Sequence, residues 1–359
     1  GCAEFHRAAK AEGIKPILGI EAYVAPGDRR NRTKTGGKDG GYHLVLLAEN
    51  NEGWANLLKL SSDAYANGFY HRPRMDQESL RDWGNGLIAI NGHLGSSIAY
   101  FLVQYEQTGN EAHWDSAVEE ARWHKEVFGT NDAGEPCFYI ELQRIGVADQ
   151  DSINPHLIRL AEEMDLPLVC DNDVHFLNRE DHETHDTLCC ISMGKTRDDT
   201  TRLIYPQELY LKSPEEMRSL FQDLPEAVNN TVRIADRCHV DIDFDANHAP
   251  VVRVSGPTEN PTYDGSDLTD WFNSWCDQFE LSPWNADEDD DVDQKTLEAD
   301  CDKALRSLCE AGLIWRYGAD GVTEEIRARC DRELGILSAK QISAYFLIVL
   351  DFVNWARQR

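Results

Sequence analysis

The sequence predicts an α/β fold followed by a mostly helical region, on three observations. Strand-like and helix-like segments alternate from the first residues to about residue 176. Polar residues able to bind metal stand at or near the ends of several predicted strands. From about residue 206 onward, apolar residues recur mainly at helical spacing. The alternation predicts parallel strands joined by crossover helices, in an open sheet or a barrel.

The alternating region has a regular order of elements. A helix, GCAEFHRAAKAEG, is followed by the strands KPILGIEAYVA and YHLVLLAEN, the helix WANLLKLSSDAYANG and the strand GLIAING. After these come the helix WDSAVEEARWHKEVFG, the strand CFYIELQRI, the helix INPHLIRLAEEMDL and the strand PLVCDNDVHF. These segments supply the strands of the predicted sheet.

The remainder is predicted to be helical, apart from one weakly ordered stretch. Ser213 and Glu216 have the spacing of a capping box at the start of SPEEMRSLF. Residues 253–297 are rich in turn formers and contain the acidic run ADEDDDVD, which predicts a linker or exposed insertion, although WFNSWCDQF is able to form a short helix. The helices KALRSLCEAGLIWRYG, EEIRARCDRELGIL and AYFLIVLDFVNWARQR follow.

The composition is that of a globular protein. The chain has 359 residues, of which 41% are hydrophobic, so it can bury a large core. It shows neither a signal peptide nor eighteen consecutive apolar residues, and we expect a cytoplasmic protein that does not contact a membrane. The ten cysteines are scattered without CxxC spacing, which predicts reduced and mostly buried thiols.

The net charge by itself argues against contact between this chain and DNA. The 35 basic and 64 acidic residues give a formal charge of -29, whereas duplex DNA is normally held by a basic surface. Two hypotheses account for this charge. Either the DNA-contacting parts lie outside the chain, or the protein works in high salt, where the repulsion between acidic groups is screened.

Five residues form the candidate metal site. Glu21 lies inside GIEAYV, His43 opens HLVLLA, His93 follows GLIAING, and Asp173 and His175 end PLVCDNDVH. The last two are expected to share one face of a strand, because they are two positions apart. Imidazole and carboxylate ligands suit Zn, Mn or Fe, and clustered divalent ions activate water for phosphoester displacement.

Each of these features also has a structural explanation. A histidine near a strand end is commonly a hydrogen-bonded structural residue, and NDVH can form a turn in which Asn172 and Asp173 bond their own backbone. His182 and His185, in DHETHD, fit the start of a helix with a solvated face and lack the HExxH spacing of zinc proteases. Spacing alone leaves both explanations open.

Several segments together resemble a known family. In order along the chain, the sequence is similar to the PHP (polymerase and histidinol phosphatase) domain of bacterial DNA polymerase III alpha subunits in GIKPILGIEAYVAPG, YHLVLLAENNEGWANLLKL, GFYHRPRMD, GLIAINGHLG, LPLVCDNDVHFLNREDHETHD and LYLKSPEEM. The stretch from about residue 305, above all AYFLIVLDFVNWA, is similar to the beginning of the palm of the same family.

The resemblance implies a distorted (β/α)7 barrel with a cluster of divalent metals, Zn or Mn. Glu21, His43, His93, Asp173 and His175 match family positions that bind metal. In metal-binding members this site removes nucleotides from a 3′ end, and in others it only supports the polymerase. The resemblance also implies domains at 1–252 (PHP) and 298–359 (start of the palm), separated by the acidic linker at 253–297.

The resemblance further defines what we expect the chain to lack and to contact. We expect the first two metal-binding motifs of the family, and its palm aspartates that bind Mg, to lie outside the chain. No catalytic residue is therefore assigned. The fragment alone is expected neither to polymerise DNA nor to fold without aggregation. Arg74 is a candidate phosphate contact. Expected partners are primer-template DNA, dNTPs, a sliding clamp and a proofreading subunit. The alternatives are a stand-alone phosphoesterase of the histidinol phosphatase type and a structural PHP module without metal.

Overall fold

The computed structural model describes residues 1–32, 40–244, 250–257, 259–284 and 292–357, the side chain of residue 357 excepted. These residues divide into two compact units, Gly1–Ile242 and Asp243–Arg359. Most of the acidic run, at residues 285–291, lies outside the described residues.

The first unit contains a mixed sheet of six strands. The strands are β1 (Gly19–Val24), β2 (Tyr42–Ala48), β3 (Arg74–Met75), β4 (Leu87–Asn91), β5 (Phe138–Gln143) and β6 (Leu168–Asp171). Their order across the sheet is β3-β1-β2-β4-β5-β6. β2 runs antiparallel to both of its neighbours, and the other adjacent pairs are parallel.

This arrangement confirms the predicted α/β class and corrects one detail. An all-parallel sheet was expected, whereas β2 is reversed because β1 pairs with it directly, with Tyr23 opposite His43. Direct antiparallel pairing needs no crossover helix, and the sequence predicts none between these strands. Within the described part of the chain the sheet is open, with β3 and β6 at its edges.

Helices cover both faces of the sheet. Residues of β4 alternate between two cores, with Leu87 and Ala89 in the larger one and Ile88 and Ile90 in a smaller one that also contains Ile234. Strands buried on both faces are typical of sheets with crossover helices. The helices of this unit are α1 (Cys2–Ala11), α2 (Asn51–Ala66), α3 (Gln77–Trp83), α4 (Ser97–Thr108), α5 (Glu111–Phe128), α6 (Ala148–Met164), α7 (His182–Met193), α8 (Pro214–Leu220) and α9 (Pro225–Arg237).

Local signals fixed several helix ends as predicted. The capping box is present, because the Ser213 hydroxyl accepts from the Glu216 amide and the Glu216 carboxylate accepts from the Ser213 amide. α7 begins at His182, inside the predicted helix start. Helices α3 and α4 were not predicted, because short apolar runs beside strands carry little periodic signal. All ten cysteines are free thiols, as expected.

The second unit is mostly helical. It contains an antiparallel pair, β7 (Val252–Ser255) and β8 (Glu280–Pro283), and the helices α10 (Leu268–Cys276), α11 (Gln294–Tyr317), α12 (Glu324–Ala339) and α13 (Ser343–Arg357). α10 is the short helix expected within WFNSWCDQF, and its Trp271 is buried against α11. Residues 253–297 therefore contribute to a packed unit where they are described, while the domain boundaries remain predictions.

None of the described helices is by itself long and apolar enough to cross a membrane; α12 and α13 pass that test only together, at a bend of 112°.

Candidate metal centre

Glu21 and His43 are brought together by the pairing of β1 with β2. Glu21 lies opposite Val45 and Tyr23 lies opposite His43, so Glu21 and His43 are diagonal neighbours on one face of the sheet. Their side chains meet, with His43 Nδ1 2.7 Å from Glu21 Oε1. Tyr23 packs edge-on against the His43 ring. His43 is the second residue of its strand, yet it lies at the carboxyl end of β1 because β2 runs in the opposite direction.

His93 comes from the loop that follows β4. Gly92 has φ 156° and approaches β5 so closely that a Cβ would lie 2.4 Å from the Glu141 carbonyl oxygen. The loop is tied to β2 by a hydrogen bond from the His43 amide to the Gly95 carbonyl, 2.8 Å long. A Cβ at Gly95 would lie 2.8 Å from His43 Nδ1 and 3.1 Å from His93 Nε2. The loop conformation therefore requires small residues beside both imidazoles.

The donor atoms of Glu21, His43 and His93 form a compact set, which we call the histidine cluster. One donor atom from each residue lies within 4.8 Å of the other two. His93 Nε2 is buried, lies 3.4 Å from Glu21 Oε1 and makes no hydrogen bond with any described residue. The two imidazoles hold the pKa of Glu21 well below its ordinary value, so this carboxylate is ionised.

A second layer of polar groups stands behind His93. Glu141 Oε2 lies 3.1 Å from His93 Nδ1, and Gln143 Nε2 donates to Glu141 Oε1 at 2.7 Å and to Asp171 Oδ1 at 2.8 Å. Burial would lower the pKa of His93, but Glu141 raises it well above its ordinary value. Burial and the adjacent Glu141 raise the pKa of Asp171, so Asp171 is protonated beside an ionised Glu141.

These three residues were not identified from the sequence. The available signal was the polar pair Glu141 and Gln143 inside the apolar segment CFYIELQRI. A charged residue in a strand that is buried along its whole length is rare unless it is paired. All six residues of β5 are buried, and Glu141 is 1% exposed.

Asp173 and His175 lie in the loop after β6 rather than in the strand. β6 ends at Asp171, and Asp173 adopts a left-handed conformation with φ 44°. His175 Nδ1 donates to the Asp173 carbonyl at 2.7 Å and lies 3.7 Å from its carboxylate. The predicted strand-like alternation of these two residues is therefore wrong, and local hydrogen bonding turns the chain instead.

Asp173 nevertheless lies within electrostatic reach of the histidine cluster. Burial raises the pKa of Asp173, and the charges of His175, Glu21 and His93 also act on it. Among the residues that the structure describes, neither Asp173 nor His175 joins a group of three donors as close as the histidine cluster. Three of the five predicted ligands are thus assembled, and the ligand roles of the other two remain predictions.

The helix after this loop contributes further polar contacts. His185 on α7 lies with its ring 5.5 Å from that of His175, and Tyr205 packs against both. His185 also faces the Cys189 thiol at 3.8 Å. The expectation that His185 lies on a solvated helix face is therefore wrong, because its face of α7 packs against the loop that carries His175.

Arg74 does not have the geometry of a substrate contact. Its side chain is buried, with 2% of the residue exposed. The guanidinium donates to the backbone carbonyls of Gly68, Gly40, Arg29 and Asn31. These bonds hold neighbouring loops and leave little of the guanidinium for a phosphate. The prediction that Arg74 contacts substrate phosphate is contradicted by this burial.

A cavity of about 100 Å³ adjoins the histidine cluster, with His43 in its wall. Asn91 and Trp123 also line it. The Asn91 Oδ1 and Trp123 Nε1 atoms are buried and have no hydrogen-bond partner among the described residues. Buried polar atoms are normally satisfied by protein, water or ligand.

The residues present fit a divalent transition metal. Two imidazoles and one carboxylate form a mixed nitrogen and oxygen donor set, which suits Zn, Mn or Fe. The His93 Nε2 atom is buried without a hydrogen bond, as a ring nitrogen is when its lone pair is free for a metal. Its other nitrogen faces a carboxylate, the usual outer partner of a metal-bound histidine.

Comparison with known proteins identifies both parts of the chain. Residues 1–145 match the model of the PHP domain, and residues 303–359 match that of the bacterial DNA polymerase III alpha NTPase domain. The DNA polymerase III subunit alpha of Borreliella burgdorferi is 37% identical over 99% of this chain and 26% of its own length. The chain belongs to the DNA polymerase III alpha family.

Other members of the DNA polymerase III alpha family match along the same extent. The subunits of Treponema pallidum and Thermus aquaticus are 36% and 34% identical, over 100% and 99% of this chain. The chain spans 26% of the Treponema protein and 30% of the Thermus protein. The histidine cluster and Glu141 lie inside the PHP match, whereas Asp173 and His175 lie beyond it.

Proposed function

We propose that this chain is part of a replicative DNA polymerase and that its histidine cluster belongs to a metal-dependent phosphoesterase site. The family match over residues 303–359 supports a polymerase over a stand-alone phosphoesterase of the histidinol phosphatase type. The parent protein then extends primers on template DNA from dNTPs and works with a sliding clamp and a proofreading subunit.

The observation that carries the phosphoesterase proposal is the convergence of Glu21, His43 and His93, with donor atoms within 4.8 Å of one another. These residues would hold Zn or Mn, and Asp173 and His175 are proposed as further ligands. A bound divalent ion would supply an activated water and stabilise charge on a phosphoester. The ionised Glu21 matches the positive charge of such an ion.

The protein's own residues define where a substrate would be processed. Glu141 and Gln143 wall the cluster on the β5 side, so access is from the side of Glu21, whose side chain is 53% exposed. A cavity with His43 in its wall lies next to the site. We therefore propose 3′-5′ removal of nucleotides, a proofreading reaction, as the activity of this site.

The first experiment measures metal and hydrolysis together. We expect the complete protein that contains this sequence to bind Zn²⁺ or Mn²⁺ and, with metal, to release nucleotides from a 3′-mismatched primer, with a chelator abolishing release. His93→Ala should lose both properties. His156→Ala, which removes a histidine paired with Glu106 outside the cluster, should lose neither.

The outcomes separate the candidate functions. Absence of bound metal would end the phosphoesterase proposal and favour a structural PHP module. Bound metal without nucleotide release would leave a metal-supported structural domain. The polymerase proposal is tested separately, by primer extension with the complete protein that contains this sequence, and absence of extension there would contradict it.

A further inference from the structure

We propose that Glu141 is a positioning residue for the metal site, fixing the His93 ring through Nδ1 so that Nε2 faces the metal position. The inference rests on the proposed phosphoesterase function and names a residue that determines how well its site binds metal. Glu141 itself is not proposed as a ligand, because it faces Nδ1 of His93 whereas Glu21 faces Nε2.

The two ring nitrogens of His93 face different groups. Its Nδ1 lies 3.1 Å from Glu141 Oε2, and its Nε2 points to Glu21, 3.4 Å away, without a hydrogen bond among the described residues. A carboxylate can only accept, so the atom that faces Glu141 must be N–H. With Nδ1 protonated, the lone pair available for a metal is on Nε2.

Glu141 is itself held in place by neighbouring polar groups. It is 1% exposed, and Gln143 donates to its Oε1 atom at 2.7 Å. Asp171, on the adjacent strand β6, interacts with the same carboxylate and with Gln143. The Gln143 carbonyl in turn accepts from Asn154 at 2.8 Å. A carboxylate held by side chains of two strands, β5 and β6, has little freedom to release the imidazole.

The backbone also links His93 to Glu141. Gly92 lies directly against the Glu141 backbone, and its carbonyl accepts from the buried Gln150 side chain at 3.4 Å. The loop carrying His93 is therefore anchored to the strand carrying Glu141. Side-chain and backbone contacts thus act together on one ring.

His43 provides an internal comparison. Its Nδ1 is 2.7 Å from Glu21, which is a proposed ligand and is largely exposed, rather than from a buried carboxylate. The two imidazoles consequently differ in how they are held. Loss of Glu141 should free the His93 ring and leave the contact between His43 and Glu21 intact.

The test replaces Glu141 by Gln and by Leu and measures binding of Co²⁺ alone to the whole chain. Replacing the outer partner of a metal-bound histidine typically lowers metal affinity by about 10–100-fold. We expect Glu141→Gln, which retains a weaker acceptor, to weaken binding less than Glu141→Leu. The visible absorption spectrum of bound Co²⁺ should also change, because the ring is no longer held at a fixed angle.

The matched control is Glu49→Gln. Glu49 is another buried carboxylate of the same unit, paired with Arg237 at 2.9 Å and not in contact with the cluster. This variant should lower the melting temperature while leaving Co²⁺ affinity and spectrum unchanged. It separates loss of stability from loss of positioning.

A second readout addresses the ring directly. The ¹⁵N chemical shifts of the His93 ring in the zinc-loaded chain should show Nδ1 protonated in the wild type and a mixed or altered state in Glu141→Gln. If Glu141→Leu does not fold, the Gln variant and its ring shifts decide the question.

The possible results are distinguishable. Wild-type affinity and ring shifts in Glu141→Gln would overturn the positioning role while leaving the phosphoesterase proposal in place. A wild-type chain that binds no Co²⁺ or Zn²⁺ would overturn both. Weakened binding in the Glu141 variants, with an unchanged Glu49→Gln control, supports the proposal.

Discussion

Two polar clusters in the first unit contain charged groups, and they differ in how those groups are compensated. In the arginine network, defined as Arg29, Arg74, Asp76 and Asp63, Arg29 pairs with Asp63 at 2.5 Å and with Asp76 at 2.9 Å. In the histidine cluster, His93 Nε2 has no hydrogen bond with a described residue. Arg29 is compensated by two carboxylates and Arg74 by backbone carbonyls, whereas the histidine cluster would gain a partner for His93 Nε2 when a cation binds.

This difference helps to distinguish buried polar groups that have a structural role from those that bind a ligand. Burying a charged group is unfavourable unless partners compensate it, so a network satisfied from within indicates a structural role. A converging donor set with an unused atom indicates a ligand. Substitutions in and around the two clusters test that distinction.

Asp76→Ala should destabilise the first unit by roughly 3–5 kcal/mol, because it leaves the buried Arg29 without a principal partner. The measurement is the free energy of unfolding in urea. Asp28→Ala is the matched surface control, since Asp28 pairs with Arg30 where both are exposed, and such pairs contribute at most about 1 kcal/mol. Metal affinity should be unchanged in both, and a loss of affinity in Asp76→Ala would break the distinction.

His124 is an imidazole satisfied by the protein, and it should report on pH rather than on metal. Its Nδ1 donates to the Glu120 carbonyl at 2.7 Å, and burial lowers its pKa to about 4. The unfolded chain, with a pKa of about 6.5, takes up this proton first as pH falls. Stability should therefore fall by about 3 kcal/mol between about pH 6.5 and about pH 4, with little further loss below.

The check is urea unfolding of the wild type and His124→Gln at about pH 7 and about pH 4.5. The variant should show a smaller loss of stability on acidification than the wild type. Equal losses would show that another group is responsible.

Asp173→Asn should reduce metal affinity by about 10–100-fold if Asp173 is a ligand, because it removes a charged donor. The fold should be retained, since Asn tolerates the left-handed conformation found at this position. Isothermal titration with Zn²⁺ measures the change. Unchanged affinity would remove Asp173 from the site and leave the histidine cluster as its ligand set.

Gly95→Ala should weaken metal binding by about tenfold, or about 1.4 kcal/mol, because its Cβ would press on both imidazoles. Gly27→Ala is the matched control, since a Cβ at Gly27 meets no atom within 4 Å. The same titration applies to both. An effect as large in Gly27→Ala would show that backbone freedom, rather than crowding at the cluster, is responsible.

The sequence predicted the α/β alternation well, because strands buried on both faces read as continuous apolar runs. It did not reveal that β2 is reversed, since an apolar pattern has the same appearance in either direction. His43 was nevertheless placed correctly near Glu21, because family resemblance carries information on pairing that periodicity lacks.

Other site features depend on contacts between distant parts of the chain. Asp173 leaves the strand pattern because β6 ends two residues earlier. Arg74 carries the same charge as a phosphate-binding arginine, and only its burial reveals the role in holding loops. Glu141 lies in an apolar strand and was not identified, because its partner, His93, is 48 positions away in the sequence.

The diagonal placement of Glu21 and His43 makes the alignment of two strands a requirement for chemistry. A shift of β2 by one residue against β1 would keep the same number of backbone bonds and turn the imidazole of His43 to the opposite face of the sheet. A single inserted residue within β2 should therefore abolish cation capture and, because it also turns buried core residues such as Leu44 and Leu46 away from the core, should lower stability. Selection for the site would then act on strand length as strictly as on the ligands themselves.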